Sequence, residues 1–202
     1  MEKTKDLYNN FNDLELLKKY EYPILILKDI KNIINVLKSN LNLDEYEIRE
    51  GDIYIHKTSE IGDGVEIHGP CIIMENSKIL HNSYIRGNVI IGRNSHISNS
   101  SEIKNSILIG NNKIPHFSYV GDSILGSGVH LGAGVVVSNL RFDKENIKVE
   151  GEQTDLHKIG AFIGDNTEIG CNSVIAPGSV IRANSILFPL TFYRNNKNIE
   201  RL

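Results

Sequence analysis

The feature that most restricts how this chain can fold is an aliphatic residue at every sixth position. Ten isoleucines share one phase between residues 55 and 109: Ile55, Ile61, Ile67, Ile73, Ile79, Ile85, Ile91, Ile97, Ile103 and Ile109. After a break around Pro115, where Ile114 and Val120 keep a local step of six, two further runs follow: Leu125, Leu131 and Val137, then Ile163, Ile169, Ile175, Ile181 and Leu187. A period of six excludes an amphipathic α-helix, whose apolar residues recur every 3.6 positions.

Each six-residue unit predicts a short strand that carries one β-branched residue inward, followed by a tight turn. Gly, Asn and Asp are frequent at these turns because they tolerate a positive φ. Three units complete a triangular coil of eighteen residues, so that isoleucine stacks on isoleucine from coil to coil. The repeat therefore predicts an all-β solenoid, a parallel β-helix of hexapeptide repeats over residues 51–187.

Three segments lie outside this repeat. Residues 1–50 carry apolar residues at helical spacing and predict a short α-helical cap over the N-terminal end of the solenoid, with Pro23 between its helices. Residues 139–158 are polar, interrupt the repeat and predict a projecting loop, and ordered loops of this length are usually functional. Residues 188–202 predict a C-terminal tail that covers the other end.

Composition limits the partners and the compartment. The chain has 202 residues, 23% of them charged, and a net charge of −3, which gives no general attraction to nucleic acid or to an anionic membrane. No apolar run is long enough to span a bilayer, and the polar start is not a signal peptide. The two cysteines are far apart in sequence, so we expect reduced thiols in a cytoplasmic protein.

A phosphate-binding pair follows from the repeat itself. Arg86 and Lys104 are eighteen residues apart, which is one full coil. The two cations are therefore expected to stack on one face of the solenoid, where they could hold a phosphate dianion. Alternatively, both are ordinary solvated surface charges.

The most informative segment lies where the six-residue phase breaks. It reads Pro115-His116-Phe117-Ser118-Tyr119 and is followed by Gly132-Ala133-Gly134 and by Asn139. In this order the motifs resemble the acetyltransferase half of the bifunctional sugar-1-phosphate nucleotidylyltransferases/acetyltransferases, which are related to the UDP-N-acetylglucosamine pyrophosphorylases. The resemblance covers residues 50–187. It implies a left-handed β-helix, a homotrimer and an acetyl-CoA-dependent N-acetyltransferase that acts on glucosamine- or galactosamine-1-phosphate.

The resemblance also implies a role for each matching residue. His116 corresponds to the general base, and free histidine titrates near pH 6.5, which suits that task. Asn139 corresponds to the residue that holds the substrate amine, and the backbone N–H of Ala133 to the donor that faces the acetyl carbonyl. Implied substrate contacts are Tyr119, Arg86, Lys104 and His130, which stands where the family has an asparagine. Implied cofactor contacts are Ala133, Lys158, Ala161 and Ala176.

Other interpretations remain open at this stage. No metal site is expected, because the histidines show no ligand spacing, although some β-helix proteins of this type are carbonic anhydrases. Residues 1–50 contain no Gly-rich nucleotide-binding signature, so we expect a chain without the nucleotidylyltransferase domain. One rival function is a non-catalytic trimerising or ligand-sensing module. Another is acetyl transfer to a nucleotide-linked amino sugar, which the substitution at His130 keeps open.

Overall fold

The computed structural model describes residues 1–195, so the end of the predicted tail, residues 196–202, lies outside the described residues. Its helices are α1 (Thr4–Leu7), α2 (Pro23–Lys28) and α3 (Ile30–Asn40), with 3-10 turns at Glu15–Lys19 and Leu43–Glu45. Its strands are β1 (Tyr46–Arg49), β2 (Ile53–His56), β3 (Glu60–Ile61), β4 (Glu66–His68), β5 (Cys71–Ile73), β6 (Lys78–Ile79), β7 (Tyr84–Arg86), β8 (Val89–Ile91), β9 (His96–Ile97), β10 (Glu102–Lys104), β11 (Ser106–Leu108), β12 (Lys113–Ile114), β13 (Tyr119–Gly121), β14 (Ile124–Leu125), β15 (His130–Leu131), β16 (Val136–Val137), β17 (Lys148–Val149), β18 (Glu152–Gln153), β19 (Ala161–Ile163), β20 (Glu168–Ile169), β21 (Val174–Ile175), β22 (Ser179–Ile181), β23 (Ile186–Leu187) and β24 (Phe192–Tyr193).

The strands form the three sides of a prism. Sheet A has the order β1-β2-β5-β8-β11-β14-β19-β22, sheet B has β23-β20-β15-β12-β9-β6-β3, and sheet C has β24-β21-β16-β13-β10-β7-β4. From β2 onward the chain passes repeatedly from A to B to C, and each strand pairs in parallel with its equivalent one coil later. The predicted fold class, a left-handed parallel β-helix of hexapeptide repeats with N-terminal helices, is confirmed.

The coil length is not uniform, and this explains the break in the sequence repeat. Ile103 pairs with Ile85, eighteen residues earlier, but with Val120, seventeen residues later. The corner between sheets C and A is one residue shorter in these coils. The next inward residue after Ile103 is Leu108, and the next after Val120 is Leu125, a step of five in both cases. The prediction that Ile109 continues the inward ladder is wrong, because the short corner moves Leu108 into that position.

The core of the prism consists of the inward-facing ladder residues. Those of the central coils, from Ile73 to Ile163, are fully buried and form one continuous cluster with their neighbours in sheet A, such as Val89 and Ala161. Full burial of an aliphatic side chain stabilises the folded state by roughly 1.5–3 kcal/mol. The regular six-residue spacing therefore supplies the cohesion between coils.

The N-terminal segment, residues 1–45, packs along the outer face of sheet A. The sequence predicted instead that it would cover the end of the prism. The physical reason is that sheet A is apolar on both faces. Its outward column consists of Ile72, Ile90, Ile107, Ile124, Phe162 and Val180, all buried against α2, α3 and the preceding turns. Among residues 1–195 it is β1 that caps the end, since it pairs antiparallel with β2 and satisfies the first strand edge. No helix within residues 1–195 is long and apolar enough to cross a bilayer.

A buried carboxylate fastens this segment to the prism. Asp165 Oδ2 accepts hydrogen bonds from the backbone N–H groups of Asn9 and Asn10 at 2.7 and 3.0 Å, and Oδ1 accepts from Ser127 N at 2.7 Å. The hydroxyl of Tyr8 donates to the Ile124 carbonyl at 3.2 Å. These contacts lie at the corner between sheets A and B and on sheet A, away from sheet C.

The predicted projecting loop leaves the prism after Asn139, at the corner between sheets C and A. It contains the hairpin β17–β18, closed by Glu150 and Gly151 with φ of 48° and 88°, which is the backbone of a two-residue type I′ turn. An isolated bridge between Leu140 and Lys158 closes its base. One side of the loop packs on the cluster that contains the N-terminal helices, so the loop is an ordered part of the fold.

The double-sided packing of sheet A can be tested with one residue type at two outward positions. Ile90 is fully buried under the N-terminal segment, whereas Ile186 projects from sheet B with 72% of its surface exposed. We expect Ile90→Ala to lower the free energy of unfolding by about 2–5 kcal/mol, as for a core position. Ile186→Ala should change it by less than about 0.5–1 kcal/mol. Urea unfolding followed by circular dichroism measures both, and equal effects would contradict the placement of the segment.

Candidate functional site

His116 lies at the corner between sheets B and C, between β12 and β13. Its side chain is exposed and accepts or donates no hydrogen bond among residues 1–195. The next residue, Phe117, has a φ of 59° and is 64% exposed, and its ring centroid lies 6.4 Å from that of the imidazole. An unpaired, accessible imidazole is free to exchange a proton with a ligand.

Ala133 occupies the same corner position one coil later. The register places it beside His116, and the backbone N–H of Gly134 donates to the His116 carbonyl at 2.9 Å. Within residues 1–195 the N–H of Ala133 has no acceptor, so it remains available to a ligand oxygen. Ala133 has only a methyl side chain, and we call the space over it, between His116-Phe117 and Cys171-Asn172, the corner notch. The Asn172 side chain lies over the neighbouring Gly134, where its Oδ1 would collide with a Cβ.

The outer face of sheet C carries the next part of the site. Tyr119 projects from the first position of β13, and Asn139 lies at the far corner, where the loop begins. Asn139 Nδ2 donates to the Tyr119 hydroxyl at 3.0 Å and to the carboxylate of Asp122. Partial burial raises the pKa of Tyr119 above its ordinary value of 10, and the negative charges of Asp122 and Glu102 add to this. Tyr119 therefore keeps its hydroxyl proton at neutral pH and can donate it.

The two predicted phosphate-binding residues lie on this same face, as the coil length indicated. Arg86 and Lys104 occupy equivalent positions in the paired strands β7 and β10. Each already has a carboxylate partner: Arg86 Nη1 lies 2.8 Å from Glu102 Oε1, and Lys104 Nζ lies 3.4 Å from Asp122 Oδ2. The hydrogen bond that Arg86 donates to Glu102 raises the pKa of the Arg86 guanidinium further. Both cations keep unused donor hydrogens that a phosphate could accept.

A cavity of about 610 Å³ opens beside this face, between the projecting loop and the last coils. Its apolar wall comes from Val174, Ala176 and Phe192 on sheet C, and Phe142, whose ring is fully exposed, lies at its edge on the loop. Its basic residues are Arg141, Lys148 and Arg194. Arg141 is paired with Asp143, and this hydrogen bond lowers the pKa of the Asp143 carboxyl to about 2. The volume suits a ligand of ordinary cofactor size, and Ser138 joins the cavity to Asn139.

Three predicted residues do not join this arrangement. His130 projects from sheet B, the adjacent side of the prism, and its Nδ1 lies 2.7 Å from Glu168 Oε2. Lys158 is exposed at the base of the loop and is not part of the cavity wall. Ala161 is fully buried inside the prism, facing the interior from β19. A cofactor contact through the Ala161 side chain is incompatible with that position, because the inward ladder residues surround it.

Two residues that the sequence analysis left without a role belong to the site. Asp122 is a buried carboxylate at the centre of the hydrogen bonds on sheet C, and Asn105 Nδ2 donates to its Oδ1 at 2.7 Å. The signal in the sequence was the five-residue step at both short corners, which puts Asn105 and Asp122 in equivalent positions. Within residues 1–195 no group of three His, Cys, Asp or Glu side chains is arranged to hold a metal ion.

Comparison with known proteins matches this part of the chain. Residues 67–158 match the family described as the GMPPB C-terminal domain. A bifunctional sugar-1-phosphate nucleotidylyltransferase/acetyltransferase of Sulfurisphaera tokodaii is 38% identical over 159 residues, which cover 76% of this chain and 40% of that protein. The bifunctional protein GlmU of Methanococcus vannielii is 44% identical over 78 residues, 37% of this chain and 19% of that protein. The predicted relationship to these bifunctional proteins is confirmed.

The chain thus spans less than half the length of these curated relatives. Among solved structures, a perosamine N-acetyltransferase mutant of Caulobacter crescentus in complex with CoA and GDP-perosamine is 16% identical, with a TM-score of 0.30. That comparison covers 81% of this chain and 60% of the other. A TM-score of this size adds nothing to the interpretation of the site.

The two cysteines give a direct probe of the corner notch. Cys171 is exposed beside Ala133, whereas Cys71 lies in the core, where burial raises the pKa of its thiol to about 12. Because the thiolate is the reactive species, we expect one thiol per chain to react with a disulfide reagent at pH 8 in native protein, and two after unfolding. Cys171→Ser should remove the native reaction. Rapid reaction of both thiols in folded protein would contradict the position of Cys71.

Proposed function

We propose that this chain transfers the acetyl group of acetyl-CoA to the amine of an amino-sugar 1-phosphate, such as glucosamine- or galactosamine-1-phosphate. One observation carries the proposal: His116 and Ala133 lie side by side on adjacent coils at one corner, and the Ala133 N–H has no acceptor among residues 1–195. A base is thereby held at one side of the corner notch and an oxyanion donor within it. The relationship to the bifunctional sugar-1-phosphate nucleotidylyltransferases/acetyltransferases supports the same chemistry.

In the proposed reaction the neutral amine nitrogen attacks the carbonyl carbon of the thioester. His116 accepts the proton that the nitrogen loses, while the N–H of Ala133 donates to the oxygen that becomes negative in the tetrahedral intermediate. Collapse of the intermediate breaks the carbon–sulfur bond, and the sulfur leaves as the thiol of CoA after it takes up the proton. The products are the N-acetylated sugar phosphate and free CoA, so protons and electrons balance.

The acceptor and the cofactor are assigned to adjacent parts of one face. Tyr119 and Asn139 would contact the sugar, and Arg86 and Lys104 its phosphate, since all four side chains lie on sheet C or at its corner. The CoA arm would occupy the cavity, with Ala176 in its apolar wall and Arg141, Lys148 and Arg194 near the CoA phosphates. The relatedness also supports a homotrimer, and the exposed ring of Phe117 offers an apolar contact to a second copy.

A second acceptor class is favoured by a specific observation on sheet C. Two coils before Tyr119, the ring of Tyr84 has the His68 ring at 5.6 Å and the Arg86 guanidinium at 5.7 Å. Coils are spaced by about 4.8 Å, so this aromatic group lies roughly 10 Å from Tyr119. That separation suits the base of a nucleotide-linked amino sugar, whose diphosphate would pass Arg86 and Lys104.

Matched histidine variants test the proposed base. His81 lies at the same corner position two coils before His116, is exposed, and has the same backbone hydrogen bond from the following coil. We expect His116→Ala to lower kcat by about 10²–10⁴, the usual contribution of a general base. His81→Ala should leave kcat within about twofold. Release of CoA thiol from acetyl-CoA is measured with each sugar phosphate and with a nucleotide-linked amino sugar, in a Cys171→Ser background that removes the exposed protein thiol.

The rival function, a non-catalytic module, predicts a different result in the same assay and in a binding experiment. A ligand that binds only the folded state stabilises it by about 2.7 kcal/mol at a hundred times its Kd. We therefore expect millimolar acetyl-CoA to raise the melting temperature by several degrees. No shift, together with no sugar-dependent thiol release, would overturn the enzymatic proposal.

A further inference from the structure

A second buried carboxylate lies at the centre of the proposed acceptor site, and the proposed reaction gives it no role. Asp122 is only 4% exposed. Its Oδ1 accepts a hydrogen bond from Asn105 Nδ2 at 2.7 Å, and its Oδ2 accepts from Lys104 Nζ at 3.4 Å and from Asn139 Nδ2. Two of these three donors are residues assigned to the acceptor.

The short corners place this carboxylate. Asn105 and Asp122 adopt left-handed backbone conformations, with φ of 45° and 50°, at equivalent corners of consecutive seventeen-residue coils. The backbone N–H of Asp122 donates to the Lys104 carbonyl at 2.9 Å, and its carbonyl accepts from Gly160 N at 2.8 Å. The backbone of Asp122 is therefore held by the coils on both sides of it. The second of these coils begins at Gly160, just after the projecting loop rejoins the prism.

The chemistry of a carboxylate limits how Asn139 can sit beside it. An ionised carboxylate only accepts hydrogen bonds, so it can face the NH₂ group of the Asn139 amide but not the amide oxygen. The second hydrogen of that NH₂ group goes to the Tyr119 hydroxyl. With the nitrogen bonded to Asp122 and Tyr119, Oδ1 of Asn139 has no hydrogen-bond partner among residues 1–195 and remains available to a ligand. An oxygen there accepts a hydrogen bond from the amine, whereas an NH₂ group could only donate to the amine lone pair, which the attack on acetyl-CoA requires.

We propose that Asp122 is a positioning residue that fixes the Asn139 amide with its oxygen toward the acceptor amine. This inference rests on the proposed function and adds a residue to it. Lys104 is bound by the same oxygen, so Asp122 also fixes the distance between the residue that contacts the acceptor amine and the residue that contacts its phosphate. Asp122 itself touches neither the reacting atoms nor acetyl-CoA.

The chain contains a matched control for a purely structural role. Asp165 is also 4% exposed and also accepts three hydrogen bonds, but from backbone N–H groups at a different corner. Replacement of either aspartate by asparagine keeps the shape and removes the charge. Both substitutions should lower the melting temperature, and only Asp122→Asn should affect the acceptor.

The kinetic test is a double-mutant cycle on folded enzyme in the acetyl-transfer assay. We expect Asp122→Asn to lower kcat/KM for the amino-sugar phosphate by about ten- to a hundredfold, while acetyl-CoA raises its melting temperature as much as that of wild type. Asn139→Ala should cause a loss of similar size, and the double variant should be no worse than Asn139→Ala alone. Asp165→Asn should keep kcat/KM within about twofold.

Losses that multiply in the double variant would overturn the positioning role, because independent residues contribute additively in free energy. If Asp122→Asn does not fold, Asn105→Gly replaces it, since glycine accepts the positive φ and removes one donor to the carboxylate. We expect a smaller loss from Asn105→Gly that disappears in the Asn139→Ala background. Persistence of that loss would count against the proposal.

A readout that needs no activity separates this inference from the proposed function. The side-chain NH₂ resonances of Asn139, assigned by their loss in Asn139→Ala, should be protected from solvent exchange in wild type and Asp165→Asn but not in Asp122→Asn. Failure of acetyl transfer with this protection intact would reject the proposed function and keep the fixed amide. Unprotected resonances in wild type would reject the inference.

Discussion

Parallel strands one coil apart hold equivalent side chains within about 5 Å of each other, and every feature of this molecule depends on that register. The inward aliphatic residues maintain it, because each ladder position packs on its counterparts above and below. Residues far apart in sequence are brought together by the same spacing. His116 meets Ala133, and Arg86 meets Lys104, only because the coil that separates each pair has a fixed number of residues.

The register also explains which predictions from the sequence succeeded. Period six, turn residues with positive φ and the interruption at 139–158 are local patterns, and the strands, the corners and the loop follow from them. The eighteen-residue coil was sufficient to place Arg86 beside Lys104. The same rule, applied without exception, misplaced Ile109, because the short corner makes Leu108 the inward residue although Ile109 keeps the six-residue phase.

Contacts that depend on the third dimension could not be predicted in this way. The helical pattern of residues 1–50 was visible, but the pattern does not say which surface the helices cover. The outward residues of sheet A decide it, since Ile72, Ile90 and Phe162 would otherwise be exposed. The separation of His130 from Tyr119 was different, because it follows from the repeat: His130 precedes Leu131, two ladder units after the Val120 that follows Tyr119, and the resemblance had nevertheless assigned both residues to one site. The interior position of Ala161 has the same origin.

The N-terminal segment is tied to the proposed site through the projecting loop. Ile147, Val149 and Ile159 of the loop share one buried cluster with the N-terminal helices, and Lys28 forms an ion pair with Asp155. The opposite side of the loop forms a wall of the 610 Å³ cavity. The segment that covers sheet A therefore also supports the wall that would enclose CoA, so the two sides of the loop are mechanically linked.

Charge on sheet C is balanced before any ligand binds, and the two balanced pairs differ in a way that matters for the acceptor. The Glu102 side chain that pairs with Arg86 is 32% exposed, whereas the Asp122 side chain that pairs with Lys104 is only 6% exposed. A phosphate dianion can displace Glu102 because water can solvate the released carboxylate, but release of Asp122 would leave a buried charge without a partner. In the proposed function Arg86 therefore changes partners when the acceptor binds. Lys104 stays attached to Asp122 and supplies only its remaining donors.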